Sequence, residues 1–365
     1  MSISSELSRR QFFHLGSIVG IGLALAGCSV ATDDSGSGNS ATSGSDFTTA
    51  TTADFKYGQV SIPGKAGSLC NAPCYIAYEN GYFADAGFDV NLISADTETR
   101  KIGLNNGTIP IVNGDFQFFP SIEGGVQATV VDGLHNGCIK LEVLPDSSIN
   151  EAEDLRGKKI GVDEIGGTPH QVASLWLEAH GITASSSESE VTFLPFDDAN
   201  LEFEALQNGE IDVAALWDPV ASIKEKSGDG RVILDIATDP QFKGKYCCFL
   251  YGSSSWVNED KDRAAALLSA YHKAQDWIAK NPAQAAQIIS DKQYSSIDDL
   301  DLATELLQHY EYPTLEERAA GEHNVLDDVK YFSEQLSSIG YLQTDDPDGF
   351  AENITTILDT NDESA

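Results

Sequence analysis

Short apolar segments alternate with amphipathic segments along most of the chain. Runs such as Phe88–Ile93 and Ile211–Leu216 have the length and composition of strands, whereas Thr97–Asn105 has the character of a short polar helix that ends at Gly107. Strand-like and helix-like segments that follow one another in this way build α/β layers. The sequence shows no internal repeat with the period of a solenoid or a propeller. The pattern therefore predicts an α/β fold.

Residues 55–138 are predicted to form the first part of one lobe. Asn71 is expected to cap a helix that carries Pro73 in its first turn. Within the apolar stretch Ile109–Phe119, the residues Asn113, Gly114 and Asp115 break the pattern, which predicts a functional turn. The remaining strands of this part are predicted at Phe55–Ile62, Phe88–Ile93 and Val126–Val131.

Residues 139–240 are predicted to form a second lobe, entered through the apolar segment Ile139–Leu144. Gly166–His170 directly precede a helix, and the backbone N–H groups at such a helix start are free. Trp217 and Asp218 follow the predicted strand Ile211–Leu216. Ligands of open α/β sheets collect at the carboxyl ends of strands.

The remaining chain is predicted to return to the first lobe. In residues 241–345 the strand Tyr246–Tyr251 leads into a largely helical segment, which includes a helix over Glu259–Lys280 capped by Asn258. Residues 346–365 are expected to form a C-terminal helix and tail.

The N-terminal residues carry the pattern of an export signal. Ser8–Phe13 hold twin arginines ahead of the apolar run Leu15–Ala26, which is shorter than the ~20 residues that a membrane-spanning helix needs. The run closes with Gly27 and Cys28, an arrangement that resembles a bacterial lipobox. Residues 1–27 are therefore predicted to be a twin-arginine lipoprotein signal peptide and Cys28 to carry a lipid. An ordinary cleaved signal with an incidental cysteine is the alternative.

These signals predict a lipoprotein on the outer face of the cell membrane. Residues 28–54 are mostly Ser, Thr, Gly, Ala, Asp and Asn, a composition that favours a flexible linker over a fold. A globular part would then lie just outside the membrane, joined to it through the lipid on Cys28.

The charge of the chain excludes whole classes of partner. Twenty-two Lys and Arg residues against 57 Asp and Glu give a net charge of −35. Such a charge opposes binding to nucleic acid and to anionic lipid, so neither is an expected partner. An anionic ligand would have to be held by local donors such as helix N-termini.

Several motifs, taken in order, resemble one family. They are Asn71-Ala72-Pro73, Gly81-Tyr82-Phe83, Gly87-Phe88-Asp89-Val90, Asp154–Val162, Gly167–His170, Gly209–Asp212 and Trp217-Asp218-Pro219. This order, from Phe55 to about Gly340, resembles the ABC-importer binding proteins for nitrate, sulfonates, taurine and thiamine-pyrimidine precursors. The resemblance implies a periplasmic-binding-protein-like (type II) fold with two lobes and two hinge crossings. It further implies a monomer without cofactor or enzymatic activity that closes on a small solute and delivers it to a permease and ATPase complex.

The resemblance also implies which residues bind the solute. They are Asn71, Pro73, Asp115, Phe116, Gln117, Gly167, Thr168, Pro169, His170, Trp217 and Asp218. Donors at the helix start would hold an anionic group, and Trp217 and Phe116 would cover the apolar part of the solute. Three of these residues have structural alternatives: Trp217 as a core aromatic, His170 as an ordinary first-turn residue and Asp115 as an Asx turn.

Five cysteines besides Cys28 depart from the family pattern. They are Cys70, Cys74, Cys138, Cys247 and Cys248, and all are expected in the first lobe near the hinge and His135. Disulfides, buried thiols and a soft-metal or cofactor site all remain open, although the spacing matches no standard zinc motif.

The cysteines also keep two other functions open. One is a lipoprotein that senses or sequesters a metal or haem. The other is an enzyme, because the resemblance extends to fungal enzymes that make the thiamine pyrimidine and use cysteine-rich segments with iron. The export signal argues against such synthesis, which belongs in the cytosol.

Overall fold

The computed structural model describes residues 55–64, 68–322, 324–360 and 362. The predicted signal peptide, the lipidation site Cys28 and the whole of the predicted linker lie outside these residues. Within the described part of the chain, no helix is both long and apolar enough to cross a membrane.

The first lobe contains two small sheets. Strand β1 (Gln59–Pro63) pairs in parallel with β2 (Asp89–Ile93). Strand β10 (Tyr246–Ser253) lies between β3 (Ile111–Asp115) and β4 (Ala128–Asn136) and is antiparallel to both. The helices that connect these strands are α1 (Ala72–Glu79), α2 (Tyr82–Asp85), α3 (Thr97–Asn106) and α4 (Phe118–Glu123).

The second lobe contains a five-stranded sheet in the order β7-β6-β8-β5-β9. Its strands are β5 (Ile139–Val143), β6 (Lys159–Val162), β7 (Thr192–Pro195), β8 (Val213–Trp217) and β9 (Arg231–Asp235). Strand β6 is parallel to β7 and β8, whereas β5 is antiparallel to β8 and β9. The helices of this lobe are α5 (Thr168–Ala179), α6 (Ala199–Gln207) and α7 (Val220–Ser227).

The chain crosses between the two sheet systems twice. The first crossing is Gly137–Cys138, between β4 and β5, and the second is the segment 236–245, between β9 and β10. The Asp218 N–H donates to the Cys138 carbonyl at 2.9 Å, which ties the end of β8 to the first crossing. The predicted α/β fold of the periplasmic-binding-protein type is confirmed.

Helices complete the rest of the chain. They are α8 (Ser254–Glu259), α9 (Lys261–Lys280), α10 (Pro282–Asp291), α11 (Leu300–His309), α12 (Leu315–Ala319), α13 (Val325–Ser338) and α14 (Pro347–Ile354). The predicted single helix over Glu259–Lys280 is interrupted. Asp260 leaves the helical conformation and caps α9 by accepting from the Arg263 N–H at 2.9 Å, whereas Asn258, the predicted cap, lies inside α8.

The predicted turn at Asn113-Gly114-Asp115 is wrong, because these residues belong to strand β3. Packing favours glycine at position 114: a Cβ atom there would lie 3.0 Å from ring atoms of Phe118 and Tyr251, so the rings would have to move by a few tenths of an ångström. The break in the apolar pattern marks a tight contact between a strand and two aromatic rings, with Asp115 at the strand end.

Candidate functional site

A cavity of about 530 Å³ lies between the two lobes. The second lobe contributes Asp163, Trp217 and Asp218 to its wall. The first lobe and the crossing strands contribute Pro63, Gly64, Ser68, Cys70, Asn71, Tyr75, Ile93, Ser94, Ala95, Asp96, Thr97, Arg100, Asn113, Gly114, Asp115, Gln117 and Cys248. The volume suits a small organic solute.

Residues at the ends of strands contribute polar and aromatic side chains to this cavity. Asp163 directly follows β6 and Trp217 ends β8, and because these two strands are parallel neighbours their carboxyl ends meet. The indole Nε1 of Trp217 donates to Oδ2 of Asp163 at 2.9 Å. This bond fixes the orientation of a half-buried aromatic ring at the cavity wall.

Five of the residues predicted to bind solute line the cavity: Asn71, Asp115, Gln117, Trp217 and Asp218. Asn71 occupies the N-cap position of α1 as predicted, but its side chain makes no capping hydrogen bond; its amide donates to the Pro63 carbonyl at 3.1 Å. Asp115 accepts from the backbone N–H of Gln117 at 3.1 Å and from Gln117 Nε2 at 3.2 Å. The Asx turn considered for Asp115 is therefore present, and the residue lines the cavity as well.

Phe116 does not line the cavity. Its ring is buried and stacks on Phe332 with centroids 4.4 Å apart, so it is a core aromatic. Pro73 is likewise buried inside α1 and is absent from the cavity wall. Both residues lie between cavity-lining residues in the sequence, but their side chains pack into the first lobe.

The start of α5 also lies outside the cavity lining, which corrects the expected positions of Gly167, Thr168, Pro169 and His170. His170 packs edge-on against Phe193 and Tyr341 and accepts from the Gly166 N–H at 2.8 Å. Burial lowers the pKa of His170 to about 4, so the imidazole is neutral at pH 7. This histidine is a buried residue of the first turn.

Two hydrogen bonds join the lobes beside the cavity. The hydroxyl of Thr168 donates to Oδ1 of Asp115. Ser68 Oγ donates to the carbonyl of Asp218 at 3.3 Å. Because each bond pairs a first-lobe residue with a second-lobe residue, separation of the lobes would break both.

The cavity is acidic. Its wall holds the carboxyl groups of Asp96, Asp115, Asp163 and Asp218 against one guanidinium, that of Arg100. Burial raises the pKa of Asp115 and of Asp218 to about 6, and burial also raises the pKa of Asp163. These carboxylates are costly to ionise without a compensating positive charge or hydrogen-bond donor.

Two acceptor atoms of this wall lack a hydrogen-bond partner among the described residues: Asn113 Oδ1 and Asp218 Oδ2. Asp218 Oδ1, in contrast, accepts from Ser222 N and Ser222 Oγ at 3.1 and 2.7 Å. Arg100 donates from Nε to the carbonyl of Ala95 at 3.1 Å and from one terminal nitrogen to the carbonyl of Asn113 at 3.2 Å. Four carboxyl groups thus share the wall with one guanidinium that already donates to two carbonyls, which favours a ligand that carries positive charge or donates hydrogen bonds.

Sequence reasoning missed several cavity residues, among them Ser68, Tyr75, Arg100 and Asp163. Asp163 could have been found, because it directly follows the motif Asp154–Val162 that the sequence analysis singled out. Arg100 carries no local signal: it lies in a polar helix and reaches the cavity only because α3 packs beside β3.

Four buried side chains form a cluster beside the cavity, here called the thiol cluster: His135, Cys138, Cys247 and Cys248. The Sγ atom of Cys138 lies 3.4 Å from that of Cys247 and 3.7 Å from that of Cys248, and the last two are 3.8 Å apart. Cys248 and the neighbouring Cys70 also line the cavity. All five cysteines in the described part of the chain are free, buried thiols, so of the three alternatives left open by the sequence the disulfides are not formed.

Comparison with known proteins gives consistent matches. Residues 70–285 match the model of the NMT1/THI5-like family. YtlA of Bacillus subtilis, which carries the name of a binding protein, is 26% identical over 244 residues, covering 64% of this chain and 69% of YtlA.

Two solved structures show how widely the fold is used. The alkanesulfonate-binding protein SsuA of Xanthomonas axonopodis, bound to MOPS, is 14% identical with a TM-score of 0.62, over 78% of this chain and 94% of SsuA. The desulfurization enzyme DszB is 15% identical with a TM-score of 0.56, over 81% of this chain and 98% of DszB. At these identities the likeness concerns the fold alone.

Proposed function

Because the chain belongs to the NMT1/THI5-like family of ABC-importer substrate-binding proteins, we propose that it captures a small solute outside the cell by lobe closure and delivers it to a permease and ATPase complex. It acts as a monomer and leaves the solute chemically unchanged. The observation that carries the proposal is the cavity of about 530 Å³, whose wall is drawn from both lobes. A solute held there contacts both lobes only when they are closed, so binding favours the form that a permease can recognise.

The cavity chemistry narrows the class of solute. The wall holds four carboxyl groups and a single guanidinium, so a nitrate or a simple alkanesulfonate would meet mostly like charge. A nitrogen-containing ring with amino or protonated ring nitrogens would donate to these acceptors. Trp217, held in place by Asp163, and Tyr75 offer aromatic surface for such a ring. Among the solutes of this family, a thiamine-pyrimidine-precursor type fits best.

Thermal unfolding of the purified protein tests this assignment. Aminopyrimidine precursors of thiamine, taurine, alkanesulfonates and nitrate are compared as added solutes. A solute present at about 100 times its Kd adds about 2.7 kcal/mol to the free energy of unfolding, which raises the Tm visibly. We expect the largest shift with an aminopyrimidine and recovery of the solute unchanged after incubation. A shift with nitrate or sulfonates alone would refute the nitrogen-donor assignment, and conversion of the solute would refute the binding role.

Matched variants separate binding from stability. Trp217→Ala and Asp115→Asn should abolish the solute-dependent shift, because they remove the ring surface and a buried acceptor of the cavity wall. Asp146→Asn serves as the control, since Asp146 is an exposed carboxylate outside that wall. Equal losses in all three variants would show that the shift does not originate in this cavity.

Export and anchoring are proposed from the sequence motifs. Replacement of Arg9 and Arg10 by Lys should stop export through the twin-arginine route. Cys28→Ser should abolish incorporation of labelled fatty acid and release the protein from the membrane fraction. Export without lipid incorporation in the unaltered protein would leave a cleaved signal as the explanation.

A further inference from the structure

The thiol cluster is assembled from three separate parts of the chain. His135 lies near the end of β4, Cys138 lies in the first crossing between the lobes, and Cys247 and Cys248 begin β10 just after the second crossing. All four side chains are at most 5% exposed, and their candidate ligand atoms lie within 4.8 Å of one another. The fold thus brings three sulfur atoms and an imidazole to one buried point.

The separations match a tetrahedral thiolate site. A Zn–S bond of about 2.3 Å places two ligand sulfurs of a tetrahedron about 3.8 Å apart. The three Sγ–Sγ distances are 3.4, 3.7 and 3.8 Å. They therefore match one face of a tetrahedron that needs only small shifts to accept an ion, and a ring nitrogen of His135 lies within 4.8 Å of the three sulfurs.

The histidine is oriented as a metal ligand would be. Its Nδ1 lies 2.9 Å from the carbonyl oxygen of Asn136, so this nitrogen carries the proton and donates it. Nε2 is then the nitrogen left to bind an ion: it is fully buried and has no hydrogen-bond partner among the described residues. Metal-bound histidines usually donate their other N–H to a carbonyl or carboxylate in this way.

A disulfide would leave more groups of the thiol cluster without a bonding partner than a metal ion would. One S–S bond, between Cys138 and Cys247 for example, would use two thiols and leave Cys248 and Nε2 of His135 without a strong partner in a buried place. One metal ion would engage all four groups, and thiolates together with imidazole are the ligands that zinc prefers.

We propose that His135, Cys138, Cys247 and Cys248 bind one Zn²⁺ ion that joins the two lobe crossings beside the solute cavity. The thiols release three protons to solvent as three Zn–S bonds form, and His135 binds through its lone pair. The ion holds the start of β5 against the start of β10. It therefore constrains the hinge on which the lobes close, a property that goes beyond solute capture.

The test is metal titration of the full chain, reduced and stripped with a chelator. Zn²⁺ should bind at one ion per chain in competition with a chromogenic chelator. Co²⁺ should bind at the same stoichiometry and give the intense absorption of tetrahedral thiolate coordination, which Zn²⁺ then displaces. Neither readout depends on the solute, so failure of this proposal leaves the proposed transport function intact.

Variants identify the ligands. Cys247→Ser and His135→Gln should weaken Zn²⁺ binding by more than the roughly 10–100-fold that loss of a supporting group costs. Cys74→Ser is the matched control: Cys74 is equally buried but outside the cluster, and burial raises its pKa to about 12, so it stays a thiol. Its replacement should leave affinity and stoichiometry unchanged.

X-ray absorption of the zinc-loaded, unaltered protein keeps the test decisive if a variant fails to fold. Sulfur neighbours at about 2.3 Å and one nitrogen at about 2.0–2.1 Å are expected. The proposal is overturned by absence of zinc binding after reduction, by a shell of oxygen and nitrogen alone, or by equal affinity of Cys247→Ser and the unaltered protein.

Discussion

Replacement of Asp218 by Asn should stabilise the free protein and weaken solute binding at the same time. Burial raises the pKa of Asp218 from 3.8 to about 6. An increase of that size corresponds to about 3 kcal/mol by which the ionised native form is disfavoured at neutral pH. Asn retains an Oδ1 that can accept from Ser222 N and Oγ, so the variant loses the cost of the charge and keeps these two bonds.

The direction in which this difference in stability changes with pH follows from proton linkage. Between about pH 4 and pH 6 the native carboxyl holds a proton that the unfolded chain has lost, so stability of the unaltered protein falls as pH rises through this window. The variant has no such fall. Its advantage in unfolding free energy should be near zero at about pH 4 and reach up to about 3 kcal/mol above about pH 7.

Urea unfolding across this pH range measures the difference, and Asp146→Asn, which alters an exposed carboxyl outside the cavity wall, is the control. Other carboxyl groups titrate in both proteins and cancel. Solute affinity should fall in Asp218→Asn, because an amide replaces one of the four carboxyl groups of the cavity wall. A variant that is equally or less stable at all pH values would refute the idea that Asp218 is held at an energetic cost for binding.

Three further predictions concern groups outside the cavity wall. Phe116→Ala should lower the unfolding free energy by about 3–5 kcal/mol in urea titrations and leave solute affinity of the folded fraction unchanged, because the ring packs on Phe332; lost affinity at full stability would contradict this. Burial raises the pKa of Glu202 to about 8, so wild-type stability falls between about pH 4.5 and pH 8, and Glu202→Gln should be the more stable protein above that range by up to about 5 kcal/mol. Burial opposes ionisation of Asp362, but the hydrogen bond with His272, 2.6 Å long, lowers its pKa to about 2. Asp362→Asn should therefore cost about 1 kcal/mol at neutral pH after solvent screening is allowed for, and the cost should vanish as pH falls toward about 2.

Local signals accounted for elements whose determinants are close in sequence. The helix predicted over Thr97–Asn105 is α3, and Gly107 ends it in the left-handed conformation, with φ of 75°. The strand predicted to return at Tyr246–Tyr251 is β10, which pairs between two first-lobe strands. Trp217 and Asp218 were placed at the cavity from a strand end, and both line it.

Predictions failed where the decisive neighbour is distant in the chain. Phe116 and Trp217 are both aromatic residues at strand ends, and nothing local distinguishes them. Phe116 meets Phe332 and becomes core, whereas Trp217 meets Asp163 and stays at the cavity wall. Asn113-Gly114 suggested a turn, because the rings that crowd a Cβ atom at position 114 are apparent only once the strands are packed.

The sequence alone determined the α/β class, the order of strands and helices and the family resemblance, because these depend on periodicity and motifs that are local in the chain. Tertiary structure alone decided the chemistry of the two sites. The acidity of the cavity depends on strand ends from both lobes, and the thiol cluster joins residues more than 100 positions apart: Cys138 and Cys247 are separated by 109. Linear spacing matches no zinc motif, since the ligands converge through strand pairing and two lobe crossings.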